Sequence, residues 1–285
     1  MSKLKIAIQK SGRLKDDSLK LLKQCGISID NGKDQLKAEA SNFPLEVYYL
    51  RNSDIPKYVQ DGIVNLGIIG ENVLYETESQ LEVISKLNFS KCRVSLAVPK
   101  DIDVADINYF EGKKIATSYP NTLARYFSEY GIETRVHKIS GSVEIAPNIG
   151  LADAICDIVS TGSTLFKNGL KETNVILKSE AVLVEEPNPT AEIRLLIDKL
   201  NFRIRAVLRA KTSKYILMNV PNEKISDVAA LLPVLKSPTI LPLAKEGWSS
   251  LHTVIDENDF WEVIDQLKDA GAEGILVAPI EKIIE

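Results

Sequence analysis

Apolar positions along the first ninety residues switch repeatedly between two spacings. LKIAIQ (4–9) is a short, mostly apolar stretch of strand length. After KSGR comes DDSLKLLKQCG, with apolar residues at helical spacing, acids where a helix start favours negative charge, and Gly26 as the stop. LEVYYLR (45–51) predicts the next strand and SDIPKYVQDG a helix with Ser53 or Asp54 as cap. VNLGIIG (64–70) predicts another strand and ENVLYE another helix start. The order β-α-β-α-β implies an open parallel sheet with helices on both faces. LEVISKLNF and CRVSLAVP (81–99) read as extended segments that cross into a second domain. The pattern restarts there with KKIATS (113–118), a helix in NTLARYFSEYG, a strand in TRVHKI and a short helix in SVEIAPNIG. NVILKSEAVLVEE (174–186) is long enough to run back to the first domain. EPNP (186–189) is a break, and TAEIRLLIDKLNFRIRAVLRA is a long amphipathic helix whose Arg194, Lys199, Arg203 and Arg209 read as a solvated face.

After Lys211 the rhythm changes. KYILMNVP is a strand, EKISDVAALLP a helix, SPTILPLA and WSSLHTVI two strands around KEGW, DENDFWEVIDQLKDAGA a helix and EGILVAPI a strand. That order, β-α-β-β-α-β, is the split βαβ pattern of a ferredoxin-like domain. Such a fold alone decides no function.

DAICDIVSTGSTL (153–165) carries the most specific chemistry. Ala154 to Val159 form a mostly buried strand interrupted by Asp157, and Ser160, Thr161, Gly162, Ser163 and Thr164 follow at once. Gly162 permits a tight turn, and a helix start at a strand's carboxyl end offers unpaired N–H groups to a phosphate. Asp153 and Asp157 suit sugar hydroxyls or a Mg²⁺ ion beside it. An ordinary Ser/Thr helix cap explains the same hydroxyls. Ligands of parallel sheets bind at strand carboxyl ends. Three more loops leave such ends: QKSGRL with Lys10 and Arg13, LRNSD with Arg51 and Asp54, and IIGEN with Glu71. Together they suit a cleft for a polyanion, with arginine giving bidentate contacts. Arg51 could instead pair with Asp54, and Glu71 could be a plain helix-start residue.

The 285 residues are 45% hydrophobic and 26% charged, with a net charge of −4, which disfavours a general nucleic-acid binder. Three scattered cysteines and two isolated histidines announce neither a zinc site, a disulfide framework nor a histidine-based triad. Reduced thiols, no signal-peptide core and no apolar run of spanning length fit a cytoplasmic protein that does not enter a membrane. No acid/base dyad stands out, which suits a reaction driven by positioning and charge stabilisation.

IAIQKSGRLKDDSLKLLKQCGI, DGIVNLGIIGENVL, CRVSLAVP, GKKIATSYP, LADAICDIVSTGSTL and SKYILMNVP with SPTILPLA together resemble the ATP phosphoribosyltransferase family, over nearly the whole chain. The C-terminal domain marks its long form. The resemblance implies an α/β fold: a two-lobed, periplasmic-binding-protein-like catalytic body plus a C-terminal ferredoxin-like (βαββαβ) regulatory domain. Lobe I would be residues 1–92 and 180–211, lobe II 93–179, and the regulatory domain 212–285. It implies attack of adenine N1 of ATP on C1 of 5-phosphoribosyl-1-pyrophosphate (PRPP), with Mg²⁺ on the pyrophosphate, in the first step of histidine biosynthesis. Residues 160–164 would hold the 5-phosphate. Asp153 and Asp157 would face the ribose or the metal, Asp153 being the candidate metal ligand. Lys10, Arg13 and Arg51 would stabilise the leaving pyrophosphate, and Glu71 would orient adenine or a metal. L-histidine would inhibit by binding at Asn219, Thr239 and Gly274, and the chain would form homo-oligomers, dimer to hexamer. NFSK before Cys92 and the linker EEPNPTAEI depart from the family pattern. The alternative from another class is a solute-binding or sensor protein, since two α/β lobes and a small sensor domain serve that purpose too.

Overall fold

The structure, a computed structural model, describes residues 2–30, 35–232 and 237–284. They form two compact units, Met1–Asn201 and Phe202–Glu285. The first unit opens with β1 (Leu4–Gln9), α1 (Arg13–Gln24), β2 (Lys37–Glu39), β3 (Leu45–Leu50), α2 (Ile55–Gln60), β4 (Leu66–Gly70), α3 (Glu71–Thr77) and β5 (Glu82–Lys86). It continues with β6 (Cys92–Pro99), β7 (Lys114–Thr117), α4 (Pro120–Ser128), β8 (Arg135–Lys138), β9 (Ala154–Val159), α5 (Ser163–Lys167), β10 (Leu170–Ser179) and β11 (Ala181–Glu185), and ends within α6 (Ala191–Lys211), the rest of which belongs to the second unit.

These strands make two sheets. Lobe I has the order β2-β3-β1-β4-β11-β5 and lobe II the order β10-β6-β9-β7-β8. β1 is flanked on both sides by parallel partners and roofed on both faces, so Leu4, Ile6, Ala7 and Ile8 are all fully buried. That explains its largely apolar sequence, and Leu4, Ile6 and Ile8 each contribute about 2 kcal/mol on burial. In lobe II, β9 alternates in the expected way. Ala154 and Cys156 face a core with Phe110, Leu123 and Phe127, while Ile155 and Val159 face Val143, Ala146 and Leu165. Asp157 shares the second face. The three-residue strand β2 has no counterpart in the sequence reading.

Register decides where the site is. β11 runs antiparallel to β4 with Ala181 opposite Gly70, and β5 ends with Lys86 opposite Val182. Both segments that join the lobes therefore meet lobe I at the edge where β1, β3 and β4 end. In lobe II, Arg93 lies opposite Val159 and Lys178 opposite Arg93. The same segments meet lobe II where β9 ends. The carboxyl edges of the two parallel sets thus both lie at the crossing segments and bound one cleft.

The second unit contains β12 (Ser213–Pro221), α7 (Ile225–Leu231), β13 (Thr239–Pro242), β14 (Trp248–Asp256), α8 (Glu257–Asp269) and β15 (Glu273–Pro279). The antiparallel sheet order β13-β14-β12-β15 is that of a ferredoxin-like βαββαβ domain. Ile216, Met218, Val220, Leu251 and Ile255 pack with Val228 and Phe260 of its helices. Asp256 caps α8, accepting from the Asn258 N–H at 3.0 Å.

The arginines of α6 do not all form a solvated face. Arg194 makes a two-pronged pair with the buried Glu185, at 2.7 and 2.9 Å, because β11 sets that carboxylate beneath the helix start.

Candidate active site

On lobe I, the Lys10 N–H bonds to the Leu50 carbonyl at 2.8 Å, which sets Lys10 beside Arg51 at the sheet edge. Both side chains are exposed. Asp54 accepts from Ser53 Oγ at 3.0 Å, and Arg51 pairs with no carboxylate among the described residues. Arg13 begins α1, is 68% exposed and lies 3.6 Å from Asp17. Glu71 begins α3 but is already engaged. Its carboxylate lies 3.0 Å from Lys86 Nζ, and its N–H donates to the Glu180 carbonyl at 3.0 Å. Glu71, Lys86, Lys91, Arg93, Ser160 and Lys178 line a cavity of about 480 Å³ at the crossing segments.

On lobe II, Ser160, Thr161, Ser163 and Thr164 are exposed in the turn after β9. Gly162 takes φ 80°, a conformation that explains the glycine. The Ser163 N–H reaches Thr161 Oγ1 at 3.4 Å, a loose Ser/Thr turn, while the N–H groups of Thr161, Gly162 and Thr164 meet no protein acceptor among the described residues. α5 is only five residues long, so these unpaired N–H groups, more than a helix dipole, suit an anion. Arg93 props the loop from behind. Its Nη1 donates to the Ser160 carbonyl at 3.0 Å, and its Nε and Nη2 each reach a Glu172 oxygen at 2.5 Å. Arg93 and Glu172 escaped the sequence reading because only register brings β6 and β10 to the end of β9.

The two aspartates part company. Asp157 sits mid-strand, half-buried, and burial first, with the charge of Glu144 behind it, pushes its carboxyl up from 3.8 to about 6. Asp157 in turn adds to the burial that raises the Tyr119 phenol. Asp153 does not join this site. It lies at the opposite end of β9, where its Oδ2 accepts from the Lys114 N–H at 2.8 Å and its own N–H bonds back to Lys114. Seven residues of near-extended chain put it about 20 Å from the phosphate loop. Strand direction sets it apart from the loop it was expected to serve. Glu144 and Tyr119, absent from the sequence candidates, follow β8 and β7 at the same carboxyl edge as the loop. The rule that ligand loops follow strand ends could have found them had the strand order been legible.

In the second unit, Asn219 lies opposite Glu273, next to Gly274. A Cβ on Gly274 would stand 3.3 Å from Asn219 Nδ2, and the φ of 58° also favours glycine. Thr239 lies opposite His252, whereas Asn219 lies opposite Ser250. All three thus occupy the sheet face away from the helices, with β14 between Thr239 and Asn219, about 10 Å across the sheet.

A sequence profile described as ATP phosphoribosyltransferase matches residues 51–206, and one described as HisG, C-terminal domain, matches residues 210–282. The chain belongs to the ATP phosphoribosyltransferase family. An ATP phosphoribosyltransferase of Cytophaga hutchinsonii is 56% identical over 282 residues, 99% of each chain, and one of Phocaeicola vulgatus 53% identical over 281 residues, again 99% of each. Among solved structures, a chain of the ATP phosphoribosyl transferase (HisG:HisZ) complex from Thermotoga maritima is 30% identical with a TM-score of 0.64, covering 73% of this chain and 99% of its own length. Tv2483 bound to L-arginine is 12% identical with a TM-score of 0.51, covering 71% and 84%, a likeness of fold alone. Family membership sets aside the solute-binding alternative. The reaction is transfer of the 5-phosphoribosyl group of PRPP to N1 of ATP, releasing pyrophosphate, a step of histidine biosynthesis. Adenine N1 carries no proton to remove, so the chemistry needs no general base.

Proposed function

We propose that PRPP lies in the cleft of the first unit, with its 5-phosphate on Ser160 to Thr164 and its ribose hydroxyls toward Asp157. Lys10, Arg13 and Arg51 stabilise the charge that develops on the leaving pyrophosphate, and Glu71, steadied by Lys86, orients the adenine. The observation that supports this reading is register: the strand ends from which the basic loops of lobe I and the loop of unpaired N–H groups in lobe II depart both lie at the crossing segments. Fixed positive groups aimed at a leaving anion lower the barrier without proton transfer.

The residues present do not make a resident magnesium site. Among the described residues no three His, Cys, Asp or Glu side chains gather for a metal, and Asp153 is held at the far end of β9. Mg²⁺ is therefore read as part of the PRPP substrate, screening its pyrophosphate. We read residues 1–92 with 180–211 as one catalytic lobe and 93–179 as the other. Residues 212–285 are read as the regulatory domain, with L-histidine at Asn219, Gly274 and Thr239 acting as feedback inhibitor in a cytoplasmic homo-oligomer, dimer to hexamer. Among the described residues no helix is long and apolar enough to cross a membrane.

The test is a spectrophotometric assay with ATP, PRPP and Mg²⁺, with pyrophosphatase to pull the reaction, run with and without histidine. Product suppressed by histidine supports both parts. Product indifferent to histidine removes the regulatory reading, and no product from a folded chain that binds PRPP removes the catalytic one.

A further inference from the structure

Helix α4 has no cap of its own. Tyr119 occupies the cap position, its side chain makes no capping bond, and Pro120 follows. The bare N–H groups of Asn121 and Thr122 donate instead to the carboxylate of Glu76, which belongs to α3 of the other lobe, at 3.1 and 2.9 Å. Thr122 Oγ1 adds a third bond to it at 2.8 Å, and Asn121 Nδ2 bonds to the Glu76 carbonyl at 3.0 Å. Arg125 donates to the Tyr75 carbonyl and lies 4.3 Å over the Tyr75 ring. Nearer the crossing segments, the buried Asn72 donates to the Tyr119 hydroxyl at 3.2 Å and accepts from Ser179 Oγ at 2.9 Å.

This contact leads into the site. The Tyr119 N–H bonds to Thr117 Oγ1 at 2.8 Å, and that hydroxyl donates to the Cys156 carbonyl at 2.7 Å, one residue before Asp157. The turn capped by Glu76 is thus tied to the strand that ends in the phosphate loop. Parting the lobes uncaps α4 and strips the Asn72 amide of its phenol partner, so the cap acts as a latch.

We propose that Glu76 is a positioning residue for phosphoribosyl transfer. By capping α4 across the cleft it fixes the spacing between the basic edge of lobe I and the phosphate loop of lobe II. The inference rests on the proposed reading of the cleft. A reaction whose groups come from two bodies is sensitive to displacements on the order of 1 Å. PRPP keeps its 5-phosphate and ribose contacts on lobe II whatever the spacing, so turnover falls far more than PRPP affinity.

The experiment compares Glu76→Ala and Glu76→Gln with the unsubstituted full chain by amide exchange, PRPP calorimetry and steady-state kinetics. In Glu76→Ala we expect the Asn121 and Thr122 amides to exchange at least tenfold faster, with β9 still protected. Turnover falls at least tenfold and the PRPP Kd stays within threefold. Glu76→Gln, which keeps one acceptor oxygen, falls between. Turnover within twofold of normal despite lost amide protection overturns the latch. So does unchanged amide exchange, and so does loss of PRPP affinity together with β9 protection, which marks a merely structural role. An unsubstituted chain that makes no phosphoribosyl-ATP refutes the reading of the cleft instead, and amide exchange alone then judges the cap.

Discussion

Replacing Asp157 by Asn should stabilise the protein while disabling it. Burial lifts this carboxyl from 3.8 to about 6. In the unfolded chain it ionises near its ordinary value, so between about pH 4 and 6 the folded state holds the extra proton. Stability therefore falls as pH rises through that window, and above it the buried charge costs about 3 kcal/mol. Asn carries no charge and can still accept from the Ile158 N–H that serves the carboxylate. The gap between Asp157→Asn and the parent should be near zero below pH 4, open between pH 4 and 6, and level off near 3 kcal/mol by pH 8. Urea unfolding at pH 4.5, 6 and 8 reads this, provided the probe sees the right unit. Both tryptophans, Trp248 and Trp261, lie in the second unit. Their fluorescence is an internal control, while exchange of the β9 amides reports on Asp157. A variant less stable at pH 8, or a gap that ignores pH, refutes the reasoning. The same variant should lose at least tenfold in kcat/KM for PRPP, and full activity would remove Asp157 from the site.

Three further outcomes are expected. Arg93→Lys cannot make the fork to Glu172, so the phosphate loop loosens. The KM for PRPP should rise about tenfold with kcat much less affected, and an unchanged KM would dismiss the prop. Asp153→Ala should cost about 1 kcal/mol in urea unfolding through its lost bond to Lys114, yet leave kcat/KM for PRPP within twofold; a large kinetic defect would restore Asp153 to the site. Gly274→Ala crowds Asn219, so half-inhibition should need at least fivefold more histidine with kcat unaltered, and an unshifted inhibition curve would move the effector elsewhere.

Much of the architecture was legible because burial on two faces leaves its mark on composition. β1, β4 and β9 read as apolar runs since parallel strands are covered on both sides, and the last seventy residues read as βαββαβ since their strands and helices alternate cleanly. The loops at Lys10, Arg51, Glu71 and Ser160 were legible for a related reason, since each ends such a run. What failed needed direction or register. Asp153 and Asp157 are equivalent in composition, but the strand runs from one toward the phosphate loop and leaves the other behind. Arg194 follows a solvent-facing pattern, and only the placement of β11 supplies its buried partner. Glu76, Tyr119 and Glu144 belong to contacts between distant segments, which no local period records.

The insertion of lobe II between β5 and β11 has a consequence for the order of assembly. In the lobe I sheet β5 borders only β11, and β11 separates it from β4. A chain growing from its N-terminus thus has β1, β3 and β4 in hand early, yet β4 keeps a bare edge until residues 181–185 are made. Lobe II, contiguous from Cys92 to Ser179, has every strand it needs before that moment. The later-made lobe is therefore the first that can be complete, and the earlier one waits with an apolar edge open to pairing with any strand nearby. A ribosome that stalls before Ala181 would release an adhesive half-sheet rather than a small stable domain.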